Sequence, residues 1–368
     1  MPYPAMPSFR ADNVAVTDDV ETRSFGAASS SRPGPGSGLL VASGEPELTA
    51  AEAGYVTAAR AANTRRGYRS VWTGFTAFCR AHDLEPMPAA PATVSGYLVA
   101  LAQAGMRTGT IAKHLSAIRA AHRAADQPDP AVTARVTAVW EGIRRTHGAP
   151  PKQAAPLMPP LLDHAVAACP TIRSCAGRDD EPDLAGARDR ALLLVGFSAA
   201  LRRSELAALT VAQIGPEQLL RSGRRGRVLT LPRSKTNQTG ETVEFVGLTR
   251  TERPGHCPLT ALEDWLTLAG ITSGPVLRKV STGNRATTAA LHPESVNTLV
   301  KAATARAGLP GPYSAHSLRA GFVTYAHLRG ASDRAIAHQT RHRSMDTITT
   351  YVRVDDVFEN NAVTQLGR

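Results

Sequence analysis

His316-Ser317-Leu318-Arg319, followed by His342 and by Tyr351 within Thr350-Tyr351-Val352-Arg353, is the stretch on which the reading of this chain turns. Upstream of it lies Ala200-Leu201-Arg202-Arg203-Ser204-Glu205-Leu206. Two arginines, two histidines and a tyrosine are the side chains needed to hold a phosphate diester and attack it without a metal. A phosphodiester is an anion that repels nucleophiles, so fixed positive charge must sit on its non-bridging oxygens. Arginine suits this best, because its planar fork donates bidentately and stays charged. Those donors gain strength as charge builds in the pentacoordinate state. A nucleophile must attack in line, and the leaving oxygen must receive a proton. Taken singly, each residue has an ordinary reading: Arg202 as a helix-end surface arginine, Lys235 as turn charge, His342 as a capped or core histidine. Tyr351 would then be a buried tyrosine with a bonded hydroxyl, and an H-x-x-R spacing recurs by chance. Their order and flanks together carry the reading.

The rest of the chain fits a basic, two-domain protein. Its 368 residues imply two folded domains, and a hydrophobic content of 42% is enough for real cores. No run of about 18 apolar residues occurs, so no membrane span is expected. Met1-Pro2-Tyr3-Pro4 does not open a secretory signal. Cys79, Cys169, Cys175 and Cys257 lack zinc or disulfide spacing and read as four free thiols of a reducing cytoplasm. The net charge is +11; residues 1–50 carry three arginines against six acids, so the remainder carries +14. A body that basic suits a polyanion, whose condensed counterions are released on binding; a solvated basic surface is the plain alternative.

Residues 1–48 contain Ser-Ser-Ser-Arg-Pro-Gly-Pro-Gly-Ser-Gly and read as a disordered tail. Residues 49–146 read as four or five amphipathic helices in a small bundle. Tyr68, Trp72, Phe75 and Phe78/Cys79 repeat at helical spacing behind a cap at Asn63 or Thr64, as do Val94, Tyr97, Leu98 and Leu101. Ile111, Leu115 and Ile118, then Val132, Val136, Val139 and Ile143, repeat it again. The aromatic stripe is expected in the core. The polar faces carry Arg65, Arg66, Arg69, Lys113, Arg119, Arg123, Arg144 and Arg145, candidate DNA contacts or plain solvated charge. Residues 147–158 are proline-rich and read as an extended linker. The second domain, 159–368, opens with helices. Asp189 to Ala199 is apolar enough to be buried on most sides, and Ser204 to Leu209 follows with Ser204 as cap. Strands are expected over 228–231 and 242–246, with Lys235 in the turn between them. Helices are expected at Pro258–Leu268 and Glu294–Ala307.

The order of these boxes resembles the tyrosine recombinase (phage integrase) superfamily, Cre-like members included. Ala-Leu-Arg202-Arg-Ser-Glu-Leu is similar to its first arginine box, Gly-Leu-Arg-x-Ser-Glu-Leu. His316-Ser-Leu-Arg319 is similar to its H-x-x-R box, and His342 and Tyr351 match its final histidine and nucleophile. Thr64 to Cys79 and His114 to Arg123 resemble the core-binding domain, so the likeness covers roughly residues 50–365. It implies a mainly α fold with a small antiparallel β-sheet: a SAM-like core-binding bundle and an α+β catalytic domain forming a clamp around DNA.

The resemblance also implies roles. Tyr351 forms a 3′-phosphotyrosyl link and frees a 5′-hydroxyl. Arg202, Arg319 and His342 bind the non-bridging oxygens, and Lys235 is the general acid. His316 is an acid/base partner or a further phosphate ligand, and Glu205 orients the site. No metal, cofactor or ATP is needed, because the covalent link keeps the bond energy. Residues 357–363 would dock on a neighbouring protomer, giving a homotetramer on two double-stranded recombination sites of a mobile element. The implied setting is a bacterial cytoplasm, on DNA. Two departures stand out: Ala200 replaces the usual Gly, and Thr340-Arg341 replaces the usual Leu-Gly before His342. Arg203 competes with Arg202, which the register with Ser204-Glu205-Leu206 favours. The alternatives are a type IB topoisomerase-like nickase and a catalytically silent DNA-binding protein of the same fold.

Overall fold

The computed structural model describes residues 49–150, 154–174, 179–232 and 241–341. The chain divides into two compact units, Met1–Pro151 and Lys152–Arg368. Secondary structure is mainly α-helical, with small sheets that are all antiparallel. No described helix is long and apolar enough to cross a membrane.

The first unit holds α1 (Ala50–Ala58), α2 (Ala62–Ala81), α3 (Pro91–Gln103), α4 (Thr108–Ala124) and α5 (Ala134–His147). Thr49 caps α1 and exchanges bonds with Glu52. The cap expected for α2 at Asn63 or Thr64 is not formed. The helix begins at Ala62 behind Ala61, two residues ahead of the start that a cap at Asn63 implies, and without a side-chain cap. Its apolar seam against α3 and α4 is the aromatic stripe. Phe75 and Cys79 are fully buried, and the rings of Phe75 and Phe78 lie 5.1 and 5.0 Å from that of Tyr97. Burying each such ring contributes roughly 1.5–3 kcal/mol. Val132 leaves the expected series: it is exposed in a 3-10 turn, and α5 starts only at Ala134. His122 is buried as a structural residue. Its Nε2 accepts the Ala89 N–H and its Nδ1–H donates to the Ile118 carbonyl, both at 2.9 Å, which selects one neutral tautomer.

The second unit begins inside the expected linker. Leu157 is fully buried, and its N–H donates to the Ser317 carbonyl at 2.9 Å. The proline-rich stretch therefore ends as part of a core. Next come α6 (Leu161–Ala167), the two-stranded β1 (Ile172–Arg173) and β2 (Glu181–Pro182), and α7 (Leu184–Ser198). Helix α7 starts five residues before the expected Asp189, because Asp183 caps it by accepting the Gly186 N–H at 2.6 Å. Its apolar run from Ala191 to Gly196 is buried, as is the Arg188–Asp189 ion pair one turn earlier, at 2.7 Å.

Helix α8 (Arg203–Ala208) leads into the antiparallel sheet of β3 (Gln218–Leu219), β4 (Arg225–Leu231) and β5 (Glu244–Thr249). Leu229 pairs with Val246 and Leu231 with Glu244. Leu229, Leu231, Val246 and Leu248 turn inward, while Phe245 is exposed on the other face. The second strand starts two residues later than the expected 242–246 and ends three residues later. The turn with Lys235 lies outside the described residues. Helix α9 (Pro258–Leu268) buries Leu262 and Trp265, β6 (Arg278–Val280) pairs with β7 (Ala286–Ala290), and α10 (Pro293–Arg306), α11 (Ala315–Leu328) and α12 (Asp333–Thr340) complete the unit. Cys79, Cys169 and Cys257 are free and buried; Cys175 lies outside the described residues.

Candidate active site

The loop Ala199-Ala200-Leu201 reverses the chain between α7 and α8. Ala200 sits at φ 47°, the left-handed region. This is the physical reason for a glycine at that place in the resembling family: without Cβ it adopts this conformation at no steric cost. Ala200→Gly is expected to raise stability by up to about 1 kcal/mol, read as an increased urea midpoint. A decrease would mean that burial of the methyl outweighs the backbone strain.

Arg202 takes the N-cap position of α8 and bonds twice to Glu205: its N–H to Oε2 at 2.9 Å and its Nη1 to Oε1 at 2.7 Å. Ser204 is therefore inside the helix, not its cap. Arg203 turns the other way and pairs with Glu294 of α10 at 2.8 Å. Its guanidinium thus has a different partner from that of Arg202.

Helix α11 presents His316 and Arg319 one turn apart. His316 is exposed, whereas Arg319 is 2% exposed. The Arg319 guanidinium donates to the Ala200 carbonyl at 2.7 Å and to the Thr340 carbonyl. It thus ties the loop ahead of Arg202 to the end of α12. Gln339 reinforces this junction, donating to the Ser198 and Gly247 carbonyls, both at 2.9 Å. Arg341 follows as the left-handed C-cap of α12, at φ 58° and ψ 43°. Its Nη2 reaches Glu205 Oε2 at 2.6 Å, and its Nε lies 3.4 Å from Glu244 Oε2.

Glu205 is therefore a buried carboxylate between two guanidiniums. Burial pushes its pKa up, but Arg341 and the bonds from Arg202 prevail and hold it below the ordinary glutamate value. Burial draws the Arg341 guanidinium down from its usual value against the pull of Glu205. Arginine is basic enough that it remains a cation at neutral pH.

The structure thus brings together Arg202, Glu205 and Arg319 from segments more than a hundred residues apart, with His316 on the same helix as Arg319. Lys235, His342 and Tyr351 lie outside the described residues. Arg341, Glu244 and Gln339 were not singled out from the sequence as site residues. The one available signal was Arg341 at a position where the resembling family keeps glycine.

A model of the phage integrase family matches residues 176–357, a range that takes in Arg202, Lys235, His316, Arg319, His342 and Tyr351. An integrase/recombinase XerD homolog from Selenomonas ruminantium is 30% identical over 311 residues, 83% of this chain and 86% of the homolog. The chain belongs to the phage integrase family, the tyrosine recombinases. It is accordingly a DNA strand transferase. Among solved structures, the fold of this tyrosine recombinase is similar to that of XerH site-specific recombinase bound to palindromic difH substrate. That likeness has a TM-score of 0.52 and 15% identity, over 76% of this chain and 73% of that one. It is also similar to the fold of a lambda integrase tetramer bound to a Holliday junction, with a TM-score of 0.53 and 14% identity over 81% and 74% of the two chains.

In the first unit, Arg65, Arg66, Arg69, Lys113, Arg123, Arg144 and Arg145 are exposed. Lys113 of α4 stretches across to α2: a Cβ added at Gly67 would lie 2.9 Å from its ammonium. Arg119 differs, since its Nε is paired with Asp129 at 2.9 Å. That pair offsets its charge toward an outside anion.

Proposed function

We propose that this protein is a site-specific recombinase that cuts and rejoins double-stranded DNA of a mobile element through a 3′-phosphotyrosyl intermediate. The observation that carries the reading is the convergence of Arg202 and Arg319 on one turn, in a chain of the phage integrase family. The Tyr351 hydroxyl attacks the scissile phosphorus and gives up its proton to a base, His316 or water, as the P–O5′ bond breaks and the 5′ oxygen leaves with a proton supplied by Lys235. Arg202, Arg319 and His342 neutralise the non-bridging oxygens, and His316 serves as an acid/base partner or a further phosphate ligand. Attack of a 5′-hydroxyl on the phosphotyrosine reverses the step on a new strand. The bond is exchanged rather than hydrolysed, so neither ATP nor a metal takes part. Exposed arginines and Lys113 of the helical unit hold flanking phosphates, for which each neutralised charge releases counterions. Residues 357–363 dock on a neighbour to form a homotetramer on two sites; a lambda integrase of similar fold is a tetramer on a Holliday junction.

Covalent trapping tests this reading. Supercoiled DNA carrying the flanks of the protein's own gene is incubated with the wild type and with Tyr351→Phe. An SDS-resistant protein–DNA adduct is expected with the first and none with the second. Binding to those flanks by gel shift without any adduct would instead make the chain a silent DNA-binding protein.

A further inference from the structure

Arg341 is the least expected residue of the site. It is a bulky side chain held in the left-handed region, where only glycine is comfortable. Strain of this kind persists where the surroundings over-determine it, and it points to a function to be sought. Docking of α12 does not require it, because Thr340 already accepts from Arg319 and Gln339 already bonds Ser198 and Gly247. The Arg341 side chain is spent elsewhere. At 9% exposure it lies between Glu205 and Glu244, with one guanidinium N–H on the Glu205 oxygen that also accepts the Arg202 main-chain N–H.

Two consequences follow from that placement. The first is geometric. With Oε2 held by both Arg341 and the Arg202 main-chain N–H, the carboxylate is turned so that Oε1 meets Nη1 of Arg202. The Arg202 guanidinium is then oriented through one N–H and keeps the rest of its fork for other acceptors. The second is electrostatic. Glu205 alone would cancel the charge of Arg202, and Glu244 adds a further carboxylate. Among the described residues, Arg341 brings a third guanidinium beside Arg202 and Arg319 to set against the carboxylates of Glu205 and Glu244, which favours an anion.

We propose that Arg341 is a positioning residue for strand cleavage: by gripping Glu205 it orients Arg202 and couples that arginine to the end of α12, directly ahead of His342. This rests on the recombinase reading above. The groups facing Glu205 are Arg202 of its own helix and Arg341 from α12, with Glu244 of β5 behind Arg341.

The full chain is compared as wild type, Arg341→Gly and Arg341→Lys. Arg341→Gly restores a residue at ease in the left-handed turn, so backbone strain cannot account for a loss. It is expected to form the covalent adduct on the order of 10- to 100-fold more slowly, as for other small misplacements of reacting groups. The acid limb of its rate profile should move to higher pH, because Glu205 loses the cation that most lowers its pKa. Arg341→Lys keeps the charge and should recover part of the rate, with the limb near that of the wild type. Equal rates and an unmoved limb in Arg341→Gly would overturn the proposal, as would a rate loss matched by the unfolded fraction alone. A DNA-free arm separates this proposal from the reading beneath it. In thermal unfolding of Arg341→Gly, Arg202→Gln and the double variant, the two changes should be non-additive, since both residues bond the Glu205 carboxylate. If the wild type gives no adduct, the recombinase reading fails, and additivity in this cycle would reject the coupling by itself.

Discussion

An Arg319→Ala variant is expected to lose strand cleavage by at least about 10²–10³-fold and also to be markedly less stable. Both losses come from one guanidinium. On the proposed reaction it stabilises the charge that builds on the phosphate. In the fold it bonds the carbonyls of Ala200 and Thr340, both in residues with no exposed surface. Removing the donor strips a guanidinium bond from each of two buried carbonyls, a loss on the order of 1 kcal/mol or more for each. The two effects separate in Arg319→Lys. Lysine can reach one carbonyl and keeps a charge, but it cannot fork, so part of the stability should return while cleavage stays low. Urea denaturation and covalent trapping on the same preparations read the two quantities. An Arg319→Ala protein as stable as the wild type would show that the arginine does not join the α7–α8 loop to the end of α12.

Gly321→Ala is expected to destabilise the second unit by about 3 kcal/mol or more. A Cβ at this position of α11 would lie 2.0 Å from the Leu157 carbonyl oxygen and 2.5 Å from its carbon. These are main-chain atoms, and they are pinned, because the Leu157 N–H donates to the Ser317 carbonyl and its side chain is fully buried. Either α11 or the 154–157 segment must move away. Movement of α11 carries His316 and Arg319 with it, so cleavage should fall along with stability. A lowered urea midpoint is the expected reading, and an unchanged one would mean that the 154–157 segment does not lie across α11. A similar clash awaits any side chain at Gly186, whose Cβ would meet the Pro170 carbonyl oxygen at 1.8 Å.

Much of this architecture was legible without coordinates. The apolar run from Ala191 to Phe197 announced a buried helix. The spacing of Phe75, Val94, Leu98, Ile111 and Ile118 announced the small bundle, because burial at 3.6-residue periodicity is written directly in side-chain type. Helix α9 lies where its pattern placed it. Strands β1, β2, β3, β6 and β7 were not legible, since Ala-Thr-Thr-Ala-Ala and strands of two or three residues carry no alternation to read. Helix starts were misjudged at Asn63 and Ser204. A cap is a matter of which backbone N–H groups tertiary contacts leave open, and at Arg202 the open group is met by Glu205, three residues on.

Within the candidate site, residue types and order pointed to Arg202, His316 and Arg319, because the chemistry of a phosphodiester restricts which side chains can serve, and the family resemblance added Glu205. The sequence could not say that Arg203 pairs with Glu294 while Arg202 pairs with Glu205. Arg341 appeared in the sequence merely as a missing glycine. That its left-handed backbone sends a cation onto Glu205 depends on α8, β5 and α12 meeting at one point. The sequence by itself determined the family, the helical character and the chemical parts, since these follow from local pattern and residue type. Only the tertiary structure decided which charges face each other, because that depends on contacts between residues 136 apart in the chain, such as Glu205 and Arg341, that no local pattern encodes.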